Sequence, residues 1–555
     1  MNNEKKQIIL NWLKQQEETD SLTQEQRDIF ALIRESLHTK KYGLVFEEKE
    51  EDIVKETNDS ILTLKQKDLI IANNNAKELN YLLEGDNYQA LKLLQKTHRN
   101  RIDVIYIDPP YNTGNKDFIY NDAYVDSEDT FRHSKWLSFM KKRLELAKTL
   151  LTENGVIFIS IDDNEYAQLK LLCDDIFNEN NFIENFLWNK AAGGSSLSKF
   201  VRRDYEYVLA YSNNKNKING KLMGAITSEM GDSSLINKPN KYSKLFFPKG
   251  TIKFVNHSKG SIKPFKDDFF ELEDEIVINN NYNSNGVSIW ARWKWTQSKL
   301  ETELNNGTII ISKTELLRLR YIKEKKNEVA IPKKSITISD NVGYTLTATM
   351  ELKKILDDNS EFSYPKPVSL IVYLLNMVAY DKKESIILDF FAGSGTTGHA
   401  VAKLNAEDGG NRTYILCTNN ENNICENVTF KRLSNIQDEL PHNLIYQQIE
   451  TINKDEFIVS NYDQRYLDQL EGSSKQLSQL ELGKLIDNKE IFFITSQDEL
   501  ENANKDDLLN ATVIFMNENK VDPYKSKVYD HIKNKIIIIP DNYYEKELKE
   551  TDYLW

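Results

Sequence analysis

Two short stretches carry residues whose types and spacing could do chemistry. One is Asp108-Pro109-Pro110-Tyr111, and the other, with Phe391 lying 283 residues beyond Asp108, is Phe391-Ala392-Gly393-Ser394-Gly395. An exocyclic amine on an aromatic base is a poor nucleophile because its lone pair is delocalised into the ring. Acceptors that hold both N–H bonds pull the nitrogen toward tetrahedral geometry and aim the lone pair, so catalysis here is positioning and electrostatics. Asp108 and the Pro109 carbonyl can supply two acceptors, and Pro109 and Pro110 stiffen the loop that carries them. Tyr111 offers a face on which a base swung out of a duplex can stack, worth roughly 1–3 kcal/mol.

The glycine stretch has two competing readings. Gly393-Ser394-Gly395-Thr396-Thr397-Gly398 fills the first six positions of a phosphate loop, but His399 and Ala400 stand where a lysine and a hydroxyl residue belong, which argues against nucleotide hydrolysis. Gly398 falls three residues after Gly395 and Glu421 lies 23 further on. That pattern suits a ligand with a ribose whose hydroxyls meet a carboxylate. The loop alone leaves a nicotinamide cofactor and S-adenosylmethionine both open, and the amine clamp at 108–111 separates them in favour of the methyl donor.

Each stretch follows an apolar run, Val104-Ile105-Tyr106-Ile107 in one case and Ile386-Ile387-Leu388 in the other. Further runs at 81–83, 156–161 and 414–416 predict strands. Helical periodicity is read through Ala90–Leu94, Trp136–Leu151, Leu370–Val378 and Gly398–Leu404. Continuous apolar strands between amphipathic helices predict a parallel sheet buried on both faces, an α/β fold. Between about 190 and 355 the alternation dissolves into Asn-, Ser-, Gly- and Lys-rich sequence, and Trp290-Ala291-Arg292-Trp293-Lys294-Trp295 sets aromatics beside bases.

Charge sharpens that division. The chain carries 72 Lys and Arg against 85 Asp and Glu, a net −13, yet residues 191–350 hold 25 against 16, a local +9. A basic island in an acidic protein is expected where one domain touches phosphates and the others do not. Arg292, Trp293 and Lys294 are its candidate DNA contacts, with packing of a small core as the alternative for the tryptophans. The expected organisation is a helical accessory segment over 1–60, the catalytic half of an α/β domain over 61–195, an inserted domain over 196–355, the cofactor half over 356–440, and an acidic α/β accessory unit over 441–555.

Cys173, Cys417 and Cys425 form no CxxC and have no histidine at zinc spacing, so neither a disulfide framework nor a metal site is expected. With no run of about 18 apolar residues and no signal-peptide pattern at the start, the expectation is a soluble, cytoplasmic protein without a membrane partner.

Asp108-Pro109-Pro110-Tyr111-Asn112-Thr113-Gly114 together with Leu388-Asp389-Phe390-Phe391-Ala392-Gly393-Ser394-Gly395-Thr396-Thr397 resembles the β-class DNA amino-methyltransferases. More narrowly it is similar to the modification (Mod) subunits of type III restriction-modification systems. Leu83-Glu84-Gly85-Asp86-Asn87, His133-Ser134-Lys135-Trp136-Leu137 and Pro365-Lys366-Pro367 carry the same likeness, which covers about 40–210 and 360–435. The resemblance implies a Rossmann-like S-adenosylmethionine-dependent methyltransferase sheet with an inserted target-recognition domain.

It further implies a catalytic loop at Asp108, Pro109, Pro110 and Tyr111. Its implied cofactor residues are Asp86 at the adenine, Glu421 at the ribose, Lys366 toward the methionine end, and Asp389, Phe391, Gly393, Gly395 and Thr396 around the glycine loop. An aspartate at 108 favours adenine N6 over cytosine N4 as the acceptor. Duplex DNA, a second copy of the chain and a helicase-nuclease (Res) subunit are the implied partners, and an orphan methyltransferase without that nuclease is the alternative. The chain departs from the pattern at Asp204-Tyr205-Glu206-Tyr207, where relatives often carry a histidine before the glutamate.

Overall fold

The computed structural model describes residues 12–13, 30, 44–72, 78–115, 117–121, 123–191, 200–218, 222–224, 232–237, 239–267, 269–313, 317–322, 331–357 and 362–553. Most of the helical segment expected over 1–60 lies outside the described residues.

Ten strands form one large sheet: β1 (Ser60–Ile70), β2 (Asn80–Glu84), β3 (Ile102–Ile107), β4 (Leu151–Ile161), β5 (Phe182–Asn189), β6 (Tyr205–Ser212), β7 (Ser335–Ile336), β8 (Ile386–Asp389), β9 (Thr413–Thr418) and β10 (Leu444–Asn453). Their order across the sheet is β1-β10-β2-β9-β8-β3-β4-β6-β5-β7. From β10 through β4 every neighbour is parallel, and β6 runs antiparallel to both β4 and β5. The central strands are buried almost throughout, as runs lacking polar alternation require.

Helices α1 (Asp52–Asn58), α2 (Asn87–Thr97), α3 (Arg132–Leu150), α4 (Val368–Ala379) and α5 (Thr396–Asp408) complete the parts that matter for the site. Strands β3 and β8 are paired neighbours, with Val104 opposite Ile387 and Ile105 opposite Leu388. Chain direction across the sheet reverses between them: β4 follows β3 on one side, and β9 follows β8 on the other. A crevice opens beyond the carboxyl ends of the strands at such a switch point. Residues 283 apart in sequence thus reach one crevice.

Two expected boundaries move. The inserted domain was expected over 196–355, but β6 and β7 are strands of the large sheet, and the separate compact unit covers 220–333 together with 376–380. That unit is mostly β, with a four-stranded and a seven-stranded sheet and the helix Gln297–Asn305 around its own apolar core. The C-terminal unit expected from 441 likewise begins inside the large sheet. Strand β10 lies between β1 and β2, and the following helix Gln464–Leu482 is tied to β1, where Ser473 Oγ accepts from the Leu64 amide at 2.7 Å. Gln447, Gln448 and Glu450 interrupt the apolar run of β10, so it lacks the signature of a central strand. Only the parallel strands Ile491–Ile494, Val513–Met516 and Ile536–Ile538 form a sheet of their own. Among the described residues no helix is long and apolar enough to cross a membrane.

Candidate active site

Directly after β3, Asp108 is held from two sides. Its Oδ2 accepts from Lys366 Nζ at 2.6 Å and its Oδ1 from the Tyr111 hydroxyl at 2.9 Å. The same hydroxyl lies 3.1 Å from Glu206 Oε2, Lys366 Nζ is 3.6 Å from that oxygen, and Lys190 Nζ bonds Glu206 Oε1 at 3.0 Å. Two ammonium groups and two carboxylates therefore alternate as Lys190, Glu206, Lys366, Asp108. Burial raises the Asp108 carboxyl, and Lys366 offsets part of that rise. Burial works against the charge on Lys366, but Asp108 and Glu206 outweigh it and raise the ammonium. For Glu206 burial is outweighed by Lys366 and Lys190, which hold the carboxyl below its usual value. The resemblance places Lys366 toward the cofactor; in the structure its ammonium sits on the Asp108 carboxylate and 5.1 Å from the Tyr111 ring centroid.

The loop that presents Asp108 is pinned behind. Trp136 Nε1 donates to the Pro110 carbonyl at 2.7 Å. Asn112 takes the left-handed backbone conformation at φ 57°, and its buried amide donates to Glu165 Oε1 at 2.5 Å, an oxygen that also meets His133 Nδ1 at 2.7 Å. With Pro110 engaged by the indole, no donor among the described residues reaches the Pro109 carbonyl, which leaves it free to accept.

Across the switch point the glycine loop follows β8. Gly393 at φ 47° and Gly395 at φ 74° occupy the left-handed region, and a Cβ on them would come to 3.1 Å from the Phe362 ring and 3.0 Å from Thr429 Cγ2. Two expected ligand residues serve as braces. Asp389 accepts from the Phe391 amide at 2.9 Å and from the Thr397 hydroxyl at 2.5 Å, and burial pushes its carboxyl up to about 7. The buried Thr396 hydroxyl accepts from Arg432 Nη1 at 2.9 Å. Buried Arg432 also donates to the Ser394 carbonyl at 3.2 Å, so a guanidinium 36 residues past Thr396 shapes the loop from below.

A cleft of about 390 Å³ runs along the strand ends. Pro110 and Phe391 line it beside the 108–111 loop, and Glu421 and Asp86 line it further along, beyond β9 and β2. Such a volume suits a nucleotide-sized ligand. Asp86 caps α2 by accepting from the Tyr88 amide at 2.7 Å, which leaves its other oxygen 3.5 Å from Arg143.

In the β-rich unit the cluster at 290–295 splits by face. Arg292 and Lys294 are exposed, whereas Trp293 is 3% exposed, donates to the Ile289 carbonyl at 3.2 Å and packs its ring against Phe247 and Phe270. As a core residue Trp293 is excluded from DNA contact. Period-two alternation through Ala291, Arg292, Trp293 and Lys294 is the signal that separates them. Glu206, Lys190, Glu165 and Arg432 stand in no pattern that marks them in advance, although Glu206 lies in the divergent Asp204–Tyr207 segment and His133 and Trp136 in a motif that carries the resemblance.

A Rossmann-like sheet with a glycine loop on one side of its switch point and an Asp-Pro-Pro-Tyr loop on the other defines an amino-methyltransferase fold. The chain belongs to the DNA methylase family, whose model matches residues 102–431. It is 34% identical over 370 residues to the StyLTI Mod subunit of a type III restriction-modification enzyme of Salmonella typhimurium, covering 62% of this chain and 53% of that protein. It is 33% identical over 399 residues to the type II methyltransferase M.KpnI of Klebsiella pneumoniae, covering 66% and 90%. It is also 33% identical over 385 residues to the EcoPI Mod subunit of Escherichia phage P1, covering 62% and 58%. The chain thus spans little more than half the length of these two Mod subunits. A solved complex of M1.HpyAVI with S-adenosylmethionine aligns with 64% of this chain and 100% of its own at 14% identity and a TM-score of 0.30.

Proposed function

We propose that the protein is a site-specific DNA methyltransferase that moves a methyl group from S-adenosylmethionine to the N6 amine of an adenine flipped out of duplex DNA, acting in the cytoplasm. One observation carries this reading: the half-buried Asp108 carboxylate and the open Pro109 carbonyl directly precede Pro110, which together with Phe391 lines a ligand-sized cleft.

The residues fit the donor. Gly393 and Gly395 keep side chains out of the loop, Glu421 offers a carboxylate to ribose hydroxyls, and Asp86 offers one to the adenine. When bound, the donor supplies an electrophilic methyl on a sulfonium. Asp108 and the Pro109 carbonyl take the two N–H bonds of the target amine, which frees its lone pair for in-line attack. Lys366 favours the ionised form of Asp108 against its burial, which supports the carboxylate as an acceptor. After transfer the nitrogen sheds a proton, for which Asp108 is the adjacent base. The Tyr111 hydroxyl, fixed by Asp108 and Glu206, holds the ring as a stacking platform for the flipped base. Exposed Arg292 and Lys294 supply phosphate or base contacts from the β-rich unit.

Similarity to Mod subunits supports a role as the modification subunit of a type III system, working as a dimer and with a Res helicase-nuclease. A second reading, a methyltransferase without a nuclease partner, is favoured by the match to nine-tenths of M.KpnI. Incubation with methyl-labelled S-adenosylmethionine and duplex DNA, followed by nucleoside analysis, tests the chemistry. N6-methyladenine is expected, N4-methylcytosine would overturn the base assignment, and no label on any DNA would overturn the function. Mapping by single-molecule sequencing separates the two biological readings: marks on one strand of an asymmetric site support the type III role, and marks on both strands of a palindrome the second.

A further inference from the structure

The family match begins at residue 102, yet the cofactor cleft has a wall built from residues before it. The acidic run that ends in Glu47-Glu48-Lys49-Glu50-Glu51-Asp52 leads into α1, and Glu51 lines the cleft while only 3% exposed. The segment is docked on the fold: the Lys49 amide donates to Ser138 Oγ at 2.9 Å and the Asp52 amide to Asn121 Oδ1 at 3.0 Å. Glu51 Oε2 accepts from Arg143 Nη1 at 2.8 Å, and the other terminal nitrogen of that guanidinium lies 3.5 Å from Asp86 Oδ2. One cation therefore ties Glu51 to the carboxylate assigned to the cofactor's base.

Two polar atoms in this wall have no partner. Glu51 Oε1 and the Tyr120 hydroxyl are both buried and without a hydrogen bond among the described residues, and both residues line the cleft. Leaving a buried polar atom unpaired costs about 1–3 kcal/mol, so a pair of them on residues that line one cleft marks where a ligand's polar edge belongs. Position along the cleft indicates which edge. Pro110 and Phe391 mark the methyl-transfer end, Glu421 beyond β9 the ribose, and Asp86 beyond β2 the far end, where a nucleoside's base must lie. The Watson–Crick edge of adenine presents N–H donors at N6 and an acceptor at N1. A carboxylate oxygen and a hydroxyl complement those two groups.

We propose that Glu51 accepts from the N6 amine, and Tyr120 donates to N1, of the adenine of S-adenosylmethionine, so that the segment preceding the family domain is part of the cofactor site. This rests on the S-adenosylmethionine reading above, and it explains selection of an adenine nucleoside over its 6-oxo counterpart, which presents a carbonyl to Glu51 and an N–H to Tyr120.

The test is calorimetric binding to the full chain of S-adenosylhomocysteine and its 6-deamino (purine riboside) analogue, with wild type, Glu51→Gln and Tyr120→Phe. Glu51→Gln is expected to weaken S-adenosylhomocysteine about tenfold, the equivalent of one lost hydrogen bond of about 1.4 kcal/mol, and to change the deamino analogue less than threefold. Equal weakening of both ligands would make Glu51 a brace for Arg143 alone and overturn the proposal. Tyr120→Phe keeps the test decisive should Glu51→Gln fail to fold: its loss should vanish with the 1-deaza analogue, and a loss that persists overturns the proposal. Failure of the wild type to bind S-adenosylhomocysteine would instead overturn the cofactor reading itself.

Discussion

The two ends of the cleft are built on opposite principles. At the catalytic end Lys190, Glu206, Lys366 and Asp108 neutralise one another, and the Tyr111 hydroxyl is shared between two carboxylates. At the other end Glu51 Oε1 and the Tyr120 hydroxyl stand buried with no hydrogen-bond partner among the described residues. The first is organised before any substrate arrives; the second is completed by a ligand. Preorganised charge suits a step whose rate depends on aim, and an unsatisfied acceptor beside an unsatisfied hydroxyl suits a step whose selectivity depends on rejecting the wrong base, because a mismatched ligand leaves them unpaired.

Breaking the charge chain should have the largest effect. Lys366→Met leaves a buried carboxylate without its cation, and unfolding by denaturant should show a loss of about 3 kcal/mol. The same change has a signed effect on activity. Burial raises the Asp108 carboxyl and Lys366 opposes that rise, so without the lysine the carboxylate forms only at higher pH and the acid limb of the kcat profile moves to higher pH. A profile that stays in place would mean that Lys366 does not govern Asp108. Glu206→Gln should have a smaller effect: Lys366 keeps its 2.6 Å contact with Asp108, and kcat should fall about tenfold with KM for the methyl donor unchanged. A rise in that KM instead would place Glu206 with the cofactor and blur the contrast between the ends. The smallest effect belongs to the open end. Tyr120→Phe removes a buried hydroxyl that no atom of the described residues satisfies, so the ligand-free melting temperature should stay level or rise by a few degrees. A clear fall would show that the hydroxyl already has a partner in the free protein.

The legible parts of this molecule were those written in contiguous residues. Asp108–Tyr111 behind an apolar strand and Phe391–Gly395 behind another are local patterns, and their neighbouring strands follow from α/β topology. The charge chain was not legible, because Lys190, Glu206 and Lys366 meet Asp108 only through a sheet whose register the sequence does not display. Strand β10 was hidden by its glutamines, and the wall at Glu51 by a charge run that resembles a solvated surface. Around Trp293 the amino-acid types suggested DNA contact, while the alternation of the strand turns that ring into the core and leaves Arg292 and Lys294 outside.

The central claim is that Asp108 serves the chemistry and not the binding of the methyl donor. Asp108→Ala, assayed in parallel for S-adenosylhomocysteine affinity, duplex binding and single-turnover methyl transfer, should bind both ligands within about threefold of wild type while transfer falls by roughly 10³ or more, in line with the removal of a preorganised polar group. Transfer within tenfold of wild type, or loss of S-adenosylhomocysteine binding in a variant that remains folded, would contradict it.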